Sequence, residues 1–277
     1  MPVVAVVNRK GGSGKSTLAT HLAGCLANRG VRVMLGDMDR QQSTAPWLRR
    51  RAKQALPAAT PLVGWAIDAK NVLRPPTGVT HVVIDTPGAV QGLELARILM
   101  FADVVLMPVC NSAFDRESAA ACLADIRRHP RVASGRCKLA TLGMRIDART
   151  SGRERLEAWA DEQGVPFIGV LREAQAYVRC VERGLSIFDL PAARVQTDLE
   201  QWQPILDWLA PWLDPAAAPE SEATHPMALD MPMRAVRTNG PAPAPTRAPA
   251  PAAAEITGLR RWLAWLLPQG AAPRARS

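Results

Sequence analysis

The chain contains Asn8-Arg9-Lys10-Gly11-Gly12-Ser13-Gly14-Lys15-Ser16-Thr17, which follows an apolar run at residues 3–7 and opens a helical pattern over Lys15–Asn28. Glycines in this setting let backbone N–H groups turn inward, and the start of the helix adds positive partial charge. Lys15 is then placed to reach β- and γ-phosphate oxygens, and Ser16 to ligate Mg²⁺. We therefore predict a strand, a phosphate-binding loop and a helix, in this order.

Short apolar runs and helical patterns alternate along the first 213 residues. The predicted strands lie at residues 3–7, 31–35, 81–84, 104–108, 139–143 and 167–170. The predicted helices lie at residues 15–28, 44–55, 92–101, 115–128, 151–163 and 173–183, with a final helix at 202–213. Continuous apolarity indicates strands covered on both faces. The alternation predicts an α/β fold with a doubly wound, mostly parallel sheet flanked by helices.

Two carboxylates end the second predicted strand, in Asp37-Met38-Asp39. Side chains at positions i and i+2 of a strand share a face, and a hard cation with its bound waters is a physical reason to hold two carboxylates together. The alternative is a solvated strand end at which an Asp caps the next helix. The residues by themselves leave both interpretations open.

The glycine-rich loop departs from the ordinary phosphate loop at its first position. Arg9 stands where the pattern GxxxxGK[ST] has its first glycine, and a second lysine, Lys10, follows it. This resembles the deviant Walker A motif of the ParA/MinD family of P-loop NTPases. The resemblance implies that Lys10 reaches the nucleotide of the partner subunit in an ATP-sandwich homodimer, so that ATP acts as a dimerisation switch.

The segment at residues 33–43 resembles the switch I motif of the same family. The resemblance implies that Asp39 positions the attacking water and that Asp37 supports the shell around Mg²⁺. Arg40 and Gln42 stand where the family commonly has Pro and Gly. This difference makes the segment slightly more similar to the MipZ-like branch of the family.

The segment at residues 82–88 resembles the family's Walker B strand followed by switch II. The resemblance implies that Asp85 holds Mg²⁺ through water and that Gly88 lets the backbone follow the γ-phosphate. With ATP and Mg²⁺ as the expected cofactors, we assign catalysis to Lys10, Lys15 and Asp39. We assign metal binding to Ser16, Asp37 and Asp85. We assign nucleotide binding to Lys10, Gly11, Gly12, Ser13, Gly14, Lys15, Ser16 and Thr17.

The charge balance favours an anionic partner. Lys and Arg number 34 against 25 Asp and Glu, which gives a net charge of +9 and a pI near 10.0. Resemblance to ParA proteins implies binding to duplex DNA without sequence preference. The residues assigned to this contact are Arg153, Arg155, Arg172, Arg179 and Arg183, although scattered arginines on a solvated face are the alternative. A second basic run, at residues 49–53, is predicted to be an exposed helix end.

The composition changes near residue 214, which divides the chain into a ParA-like ATPase domain at 1–213 and a tail. Residues 214–254 read as a flexible Pro/Ala-rich linker. Residues 255–268 read as an amphipathic helix with Trp262 on its apolar side, and 269–277 as a disordered end. Docking of this helix to a protein partner or to its own domain ranks above weak membrane binding.

We therefore expect a ParA-like ATPase whose ATP-dependent dimer binds DNA without sequence preference and positions a plasmid, a chromosome locus or a protein cargo. A ParB-like or adaptor partner is expected to stimulate hydrolysis. The alternative is a MinD/MipZ-like spatial regulator at the membrane or division site. An electron-transfer ATPase like the nitrogenase iron protein is a third interpretation, but the cysteines do not match that family's motif context.

Cysteine usage indicates a reducing compartment. The five cysteines are an odd number, are widely spaced and form no CxxC pair, and the four histidines are scattered, so we predict reduced thiols and no structural zinc. The expected location is cytoplasmic and nucleoid-associated, with a peripheral membrane location under the alternative function.

Overall fold

A computed structural model describes residues 1–39, 42–56, 59–66, 75–147 and 150–214. These residues all belong to one compact unit, Met1–Ala223. The predicted linker beyond Asp214, the amphipathic helix and the C-terminal end lie outside the described residues, so these domain assignments stay predictions. No helix in the described ranges is long and apolar enough to cross a membrane.

The described chain forms one seven-stranded sheet in which every pairing is parallel. The strands are β1 Val3–Val6, β2 Val33–Asp37, β3 Val63–Ala66, β4 His81–Asp85, β5 Val104–Val109, β6 Lys138–Ile146 and β7 Phe167–Arg172. Their order across the sheet is β3-β2-β4-β1-β5-β6-β7. This confirms the predicted doubly wound parallel α/β fold, in which β1 lies at the centre and the loop after it sits at the middle of the carboxyl edge.

Helices follow the strands on both faces of the sheet. They are α1 Lys15–Asn28, α2 Thr44–Arg51, α3 Gly92–Phe101, α4 Ala113–Arg127, α5 Pro130–Ala133, α6 Gly152–Glu162, α7 Gln175–Arg183 and α8 Ala192–Leu213. A 3₁₀ turn at Ile187–Asp189 joins α7 to α8.

Side chains of β1 alternate between two buried cores, as expected for a central strand. Val4 and Val6 pack with α1, α2, α7 and α8 on one face. Val3 and Ala5 pack with α3, α4 and α6 on the other face. Both faces are covered, which explains why the strands read as continuous apolar runs rather than alternating ones.

Two elements were missed by the sequence prediction. Strand β3 lies beside β2 at the edge of the described sheet. Its apolar segment is only four residues long and contains the exposed Gly64, which weakens the strand signal. Helix α5 is a single turn that starts with Pro130, too short to show a period. β6 also extends to Ile146, three residues beyond the predicted end.

The second basic run, predicted to be an exposed helix end, is partly buried. Arg49 is exposed, but the Arg51 side chain is only 6% exposed. Its Nη1 lies 2.7 Å from Asp189 Oδ2 and its Nη2 3.1 Å from Oδ1. The prediction was therefore wrong for Arg51, because its partner is distant in sequence and only the fold brings the two charges together.

Candidate nucleotide-binding site

The loop after β1 adopts the backbone of an anion cradle. Gly12 and Gly14 have φ of 76° and 91°, in the left-handed region that favours glycine. Gly14 also packs closely on the end of β6, since a β-carbon there would lie 2.6 Å from Met144 Cε. Helix α1 then begins at Lys15 with no described side chain capping its first turn and no acidic residue in it. Its free N–H groups and its dipole are therefore available to a phosphate.

The side chain of Asn8 stabilises this loop through two hydrogen bonds. It is fully buried, and its Nδ2 donates to Pro108 O at 2.7 Å while its Oδ1 accepts from Lys10 N at 2.9 Å. The same side chain thus ties the loop to the end of β5 and orients the backbone at Lys10.

The two lysines of the loop occupy opposite environments. Lys15 is 7% exposed, and its Nζ donates to Lys10 O at 3.1 Å, whereas the side chain of Lys10 itself is exposed. Burial lowers the pKa of Lys15, and the nearby carboxylates of Asp85 and Asp39 oppose this. One ammonium therefore lies inside the cradle of its own chain, and the other points to solvent.

Ser13 adds an unsatisfied polar group to the cradle. It is 2% exposed, and its Oγ has no hydrogen-bond partner among the residues the structure describes. A buried hydroxyl without a partner costs free energy, so a ligand that supplies an acceptor is favoured here.

Asp37, at the end of β2, organises the turn that leads into α2. Its Oδ1 accepts from Asp39 N at 2.9 Å, and its Oδ2 accepts from both the backbone N and the Oγ1 of Thr44, at 2.9 and 2.7 Å. Thr44 is the first residue of α2 and is fully buried. Asp37 is only 4% exposed and the N-cap of α2 is Ser43, so the alternative of a solvated strand end with a capping Asp does not describe it. The metal-supporting role of Asp37 stays a prediction.

Asp85 ends β4 beside Asp37 in the parallel register. It is fully buried, and neither carboxylate oxygen has a hydrogen-bond partner within the described ranges. Burial raises its pKa to about 7, with smaller contributions from the charges of Asp37 and Asp39, while Ser16 and Lys15 act in the opposite direction. Buried carboxylate oxygens beside the Ser16 hydroxyl are suited to a cation or its bound water.

The segment after β4 packs directly on the glycine-rich loop. Ala89 N donates to Arg9 O at 2.7 Å, and Thr86 Oγ1 donates to Val6 O at 2.7 Å. A β-carbon at Gly88 would lie 3.6 Å from Gly11 Cα, which is van der Waals contact. A change in either segment is therefore transmitted to the other through backbone contacts.

Arg9, the residue that departs from the ordinary loop pattern, turns its side chain away from the cradle. Its guanidinium forms an ion pair with Asp125 on α4, and the two side chains are 24% and 29% exposed. Its backbone φ is not in the left-handed region, so a side chain is tolerated where many phosphate loops have glycine.

The residues present fit a nucleotide with Mg²⁺. The cradle supplies backbone N–H groups, a buried ammonium at Lys15 and the partnerless Ser13 hydroxyl. The buried carboxylate of Asp85 supplies oxygen ligands next to Ser16, and oxygen is the ligand atom that Mg²⁺ prefers. The structure thus brings the predicted nucleotide and metal residues to one edge of the sheet, while their individual roles stay predictions.

Three residues of this site were missed by sequence reasoning. They are Asn8, Thr44 and Thr86, which brace the loop, the start of α2 and the end of β4. Each is a small polar residue next to a motif, and the only signal in the sequence is that position. The partners of Asn8 and Thr86 lie 100 and 80 residues away along the chain, so spacing could not reveal them, whereas Asp37 is only 7 residues from Thr44.

The arginines assigned to DNA contact do not form one free surface. Arg172 is engaged with the buried Asp198, its Nε at 2.8 Å from Oδ1 and its Nη2 at 3.0 Å from Oδ2. Arg153 faces Glu157 at 3.8 Å within α6.

The remaining three arginines are exposed. Arg155 Nε donates to Asn111 Oδ1 at 3.4 Å, and Arg179 and Arg183 project from α7. Acidic residues lie among all five, since residues 153–183 contain five arginines and six Asp or Glu, a net charge of −1. The assignment of this segment to DNA stays a prediction.

Comparison with known proteins agrees with the geometry. The family model described as "CobQ/CobB/MinD/ParA nucleotide binding domain" matches residues 4–187. The chain is similar to Maintenance of carboxysome distribution protein A of Gloeobacter kilaueensis, with 34% identity over 194 residues, 67% of this chain and 83% of that protein. It is also similar to the Chromosome-partitioning ATPase Soj of Thermus thermophilus, with 30% identity over 186 residues, 56% of this chain and 74% of that protein.

A solved structure shares the fold. The putative plasmid partition protein from Borrelia burgdorferi bound to AMPPNP matches with a TM-score of 0.57 and 16% identity, covering 75% of this chain and 99% of that one. At this identity the likeness concerns the fold alone. The family match over residues 4–187 confirms the family that the motifs resemble.

Proposed function

Because this chain belongs to the CobQ/CobB/MinD/ParA nucleotide-binding domain family, we propose that it is a ParA-like ATPase whose ATP-dependent dimer binds DNA without sequence preference. The observation that carries the proposal is the difference in burial between the two lysines of the loop. Lys15 is buried in its own cradle, whereas Lys10 is exposed on the same loop. An exposed cation at this position is available to the nucleotide of a second subunit.

The proposed chemistry assigns a task to each residue at the carboxyl edge. Lys15 binds and orients the phosphates, and Asp39 holds the attacking water in line. Mg²⁺, bound through Ser16 and Asp85 with Asp37 in support, would neutralise charge on the β- and γ-phosphates. Lys10 of the partner completes the site only in the dimer, so hydrolysis depends on association.

Exposed apolar side chains support a dimer face at this edge. Leu93, at the start of α3, is 82% exposed and Phe114, at the start of α4, is 73% exposed. Both helices begin after strands that flank β1, so the two side chains lie on either side of the phosphate loop. Large apolar groups with this much exposure favour burial against another surface.

The role that we propose for the protein in the cell is to position a cargo. One relative is named for carboxysome distribution and another for chromosome partitioning. We propose that ATP-bound dimers attach to the nucleoid in the cytoplasm, and that a ParB-like or adaptor partner stimulates hydrolysis and releases them. A plasmid, a chromosome locus or a protein assembly is the cargo that such a cycle would position.

A MinD/MipZ-like regulator at the membrane or division site is the second candidate. The observation that favours it is the amphipathic pattern at residues 255–268, which places Trp262 and Trp265 in an apolar, arginine-bearing segment. ATP-dependent binding to anionic vesicles that is lost when both tryptophans are changed would favour this candidate.

The test is sedimentation of the full chain with ATP, ADP or no nucleotide, followed by binding to random-sequence duplex DNA in the same three states. We expect dimers and DNA binding with ATP only, and an association constant that falls steeply with salt. A monomer in every state would contradict the dimerisation switch. A dimer that binds no DNA would contradict the nucleoid role.

A further inference from the structure

The described chain carries a basic surface that the sequence motifs did not indicate. Residues 127–138, from the end of α4 through α5 to the start of β6, contain five arginine or lysine residues, one histidine and no Asp or Glu. The cations of this segment are Arg127, Arg128, Arg131, Arg136 and Lys138. We call this surface the α4–β6 corner.

The corner lies at the amino edge of the sheet, opposite the phosphate loop. Lys138 opens β6, and its backbone N donates to Asp103 O at the start of β5. The phosphate loop follows the other end of the parallel strand β1, and the six residues of β5 span roughly 20 Å between the two edges. Of the corner's cations, Arg128 is linked to the phosphate loop through Asp125 and Arg9, whereas Arg127, Arg136 and Lys138 make no ion pair with that loop in the described chain.

Carboxylates in the described part of the chain neutralise the corner only in part. Arg128 pairs with Asp125 at 2.7 Å, but Asp125 is already shared with Arg9. Arg131 pairs with Asp103 at 3.1 Å.

The other cations of the corner have no carboxylate partner among the described residues. Arg127 donates to the carbonyl oxygens of Gln163 and Gly164, which fix its guanidinium without cancelling its charge. Arg136 is exposed and makes no ion pair, and Lys138 lies 5.0 Å from the centroid of the Trp212 ring. The corner is therefore a dense positive surface with partly fixed side chains.

We infer that the α4–β6 corner is the surface that contacts the phosphates of duplex DNA, in place of the arginines on α6 and α7. This rests on the DNA binding proposed above. Neutralising phosphates needs clustered cations and no base-specific spacing. The corner keeps three cations without a carboxylate partner among the described residues, Arg127, Arg136 and Lys138, whereas residues 153–183 carry a net charge of −1. Between Arg127 and Lys138 no large apolar side chain is exposed, so the surface lacks the anchors that a membrane contact uses.

The experiment compares two triple variants of the full chain that remove equal charge. One carries Arg127→Gln, Arg136→Gln and Lys138→Gln, which leaves Arg128 and its contact with Asp125 in place. The other carries Arg153→Gln, Arg179→Gln and Arg183→Gln. Binding to a random-sequence duplex is measured with ATP across a salt series, and ATP binding and far-UV circular dichroism of each variant report whether the site and the fold are intact.

We expect the corner variant to lose roughly 2.7 units of the slope of log K against log salt, because each phosphate contact contributes about 0.9. The α6–α7 variant should lose less than about one unit. Equal losses would overturn the inference, since removal of net charge anywhere would produce them, and so would a loss confined to the α6–α7 variant. Wild-type protein that dimerises with ATP but binds anionic vesicles and no DNA would overturn the proposed DNA binding together with this surface.

Discussion

The guanidinium of Arg9 is paired with the carboxylate of Asp125, which fixes the phosphate loop to helix α4. Arg9 directly precedes Lys10, and its backbone oxygen also accepts the Ala89 N–H. The ion pair is about a quarter exposed on each side, so its contribution to stability is small. Its position between the loop and α4 suits it to orient the backbone that carries Lys10.

Replacing Arg9 should therefore affect turnover more than folding. We expect Arg9→Ala to lower ATP turnover by about tenfold because Lys10 is no longer held in place. The free energy of unfolding should fall by only about 0.5–1 kcal/mol. Steady-state kinetics and denaturant unfolding measure the two effects. Arg128→Ala, which removes the other partner of Asp125, is the matched control, and Arg9→Lys should restore part of the turnover; equal turnover in Arg9→Ala and wild type would contradict this role.

Variants of the two loop lysines should have different effects on ATP binding and on dimerisation. We expect Lys15→Ala to weaken ATP binding about 100-fold, because a buried ammonium that makes charge-assisted hydrogen bonds to phosphate is lost. Lys10→Ala should leave binding to the monomer within about threefold, since its side chain is exposed. Isothermal calorimetry of both variants measures this difference. Unchanged affinity in Lys15→Ala would refute the loop assignment.

Asp39 should act after the dimer has formed. We expect Asp39→Ala to bind ATP normally and to slow hydrolysis about 100-fold or more, because the attacking water is no longer positioned. The ATP dimer should then accumulate. Sedimentation velocity at saturating ATP detects it, and a variant that stays monomeric under these conditions would count against the switch.

Asp37 should matter for stability as well as for chemistry. Its Oδ2 accepts two hydrogen bonds from Thr44 at the start of α2. We expect Asp37→Ala to lower the free energy of unfolding by about 1–3 kcal/mol, because a buried N–H and a buried hydroxyl lose their acceptor. Asp39→Ala serves as the control and should cost less. Equal loss of stability in the two variants, measured by urea unfolding, would contradict the structural role of Asp37.

His21 should give the stability of the fold a measurable pH dependence. It is fully buried on α1 between Tyr177 and Trp202, and burial lowers its pKa to about 4. As the pH falls, His21 takes up a proton in the unfolded chain before it does so in the folded chain. The contribution of neutral His21 to the free energy of unfolding is therefore present in full above pH 6.5 and is lost as the pH falls toward 4. Across that range the loss is about 3 kcal/mol.

Replacing His21 should remove this contribution. We expect His21→Phe to show a flatter dependence of the unfolding free energy on pH between 6.5 and 4 than wild type does. Unfolding at several pH values measures the difference between the two curves. Parallel curves over this interval would show that His21 is not titrated by unfolding.

The central elements of the fold were predictable because each depends on its own residues. The boundaries of α1 and α3 agree with the predicted ones, since α1 starts directly after Gly14 and α3 starts at Gly92. Edge strand β3 was missed because it is only four residues long and contains a glycine, which weakens the strand pattern. Arg51 was misplaced because its sequence neighbours are basic, whereas its partner Asp189 is 138 residues away.

The sequence by itself determined the strand, loop and helix around residues 3–28, because the glycines, the lysines and the turn they form are local in the chain. It also identified the acidic strand ends at Asp37 and Asp85, whose convergence follows from parallel strands ending at one edge. Only the tertiary structure decided which oxygens remain without donors, which lysine is buried, and which cations are cancelled by carboxylates. Those properties depend mainly on contacts between residues far apart in sequence, such as Arg51 with Asp189 and Asn8 with Pro108.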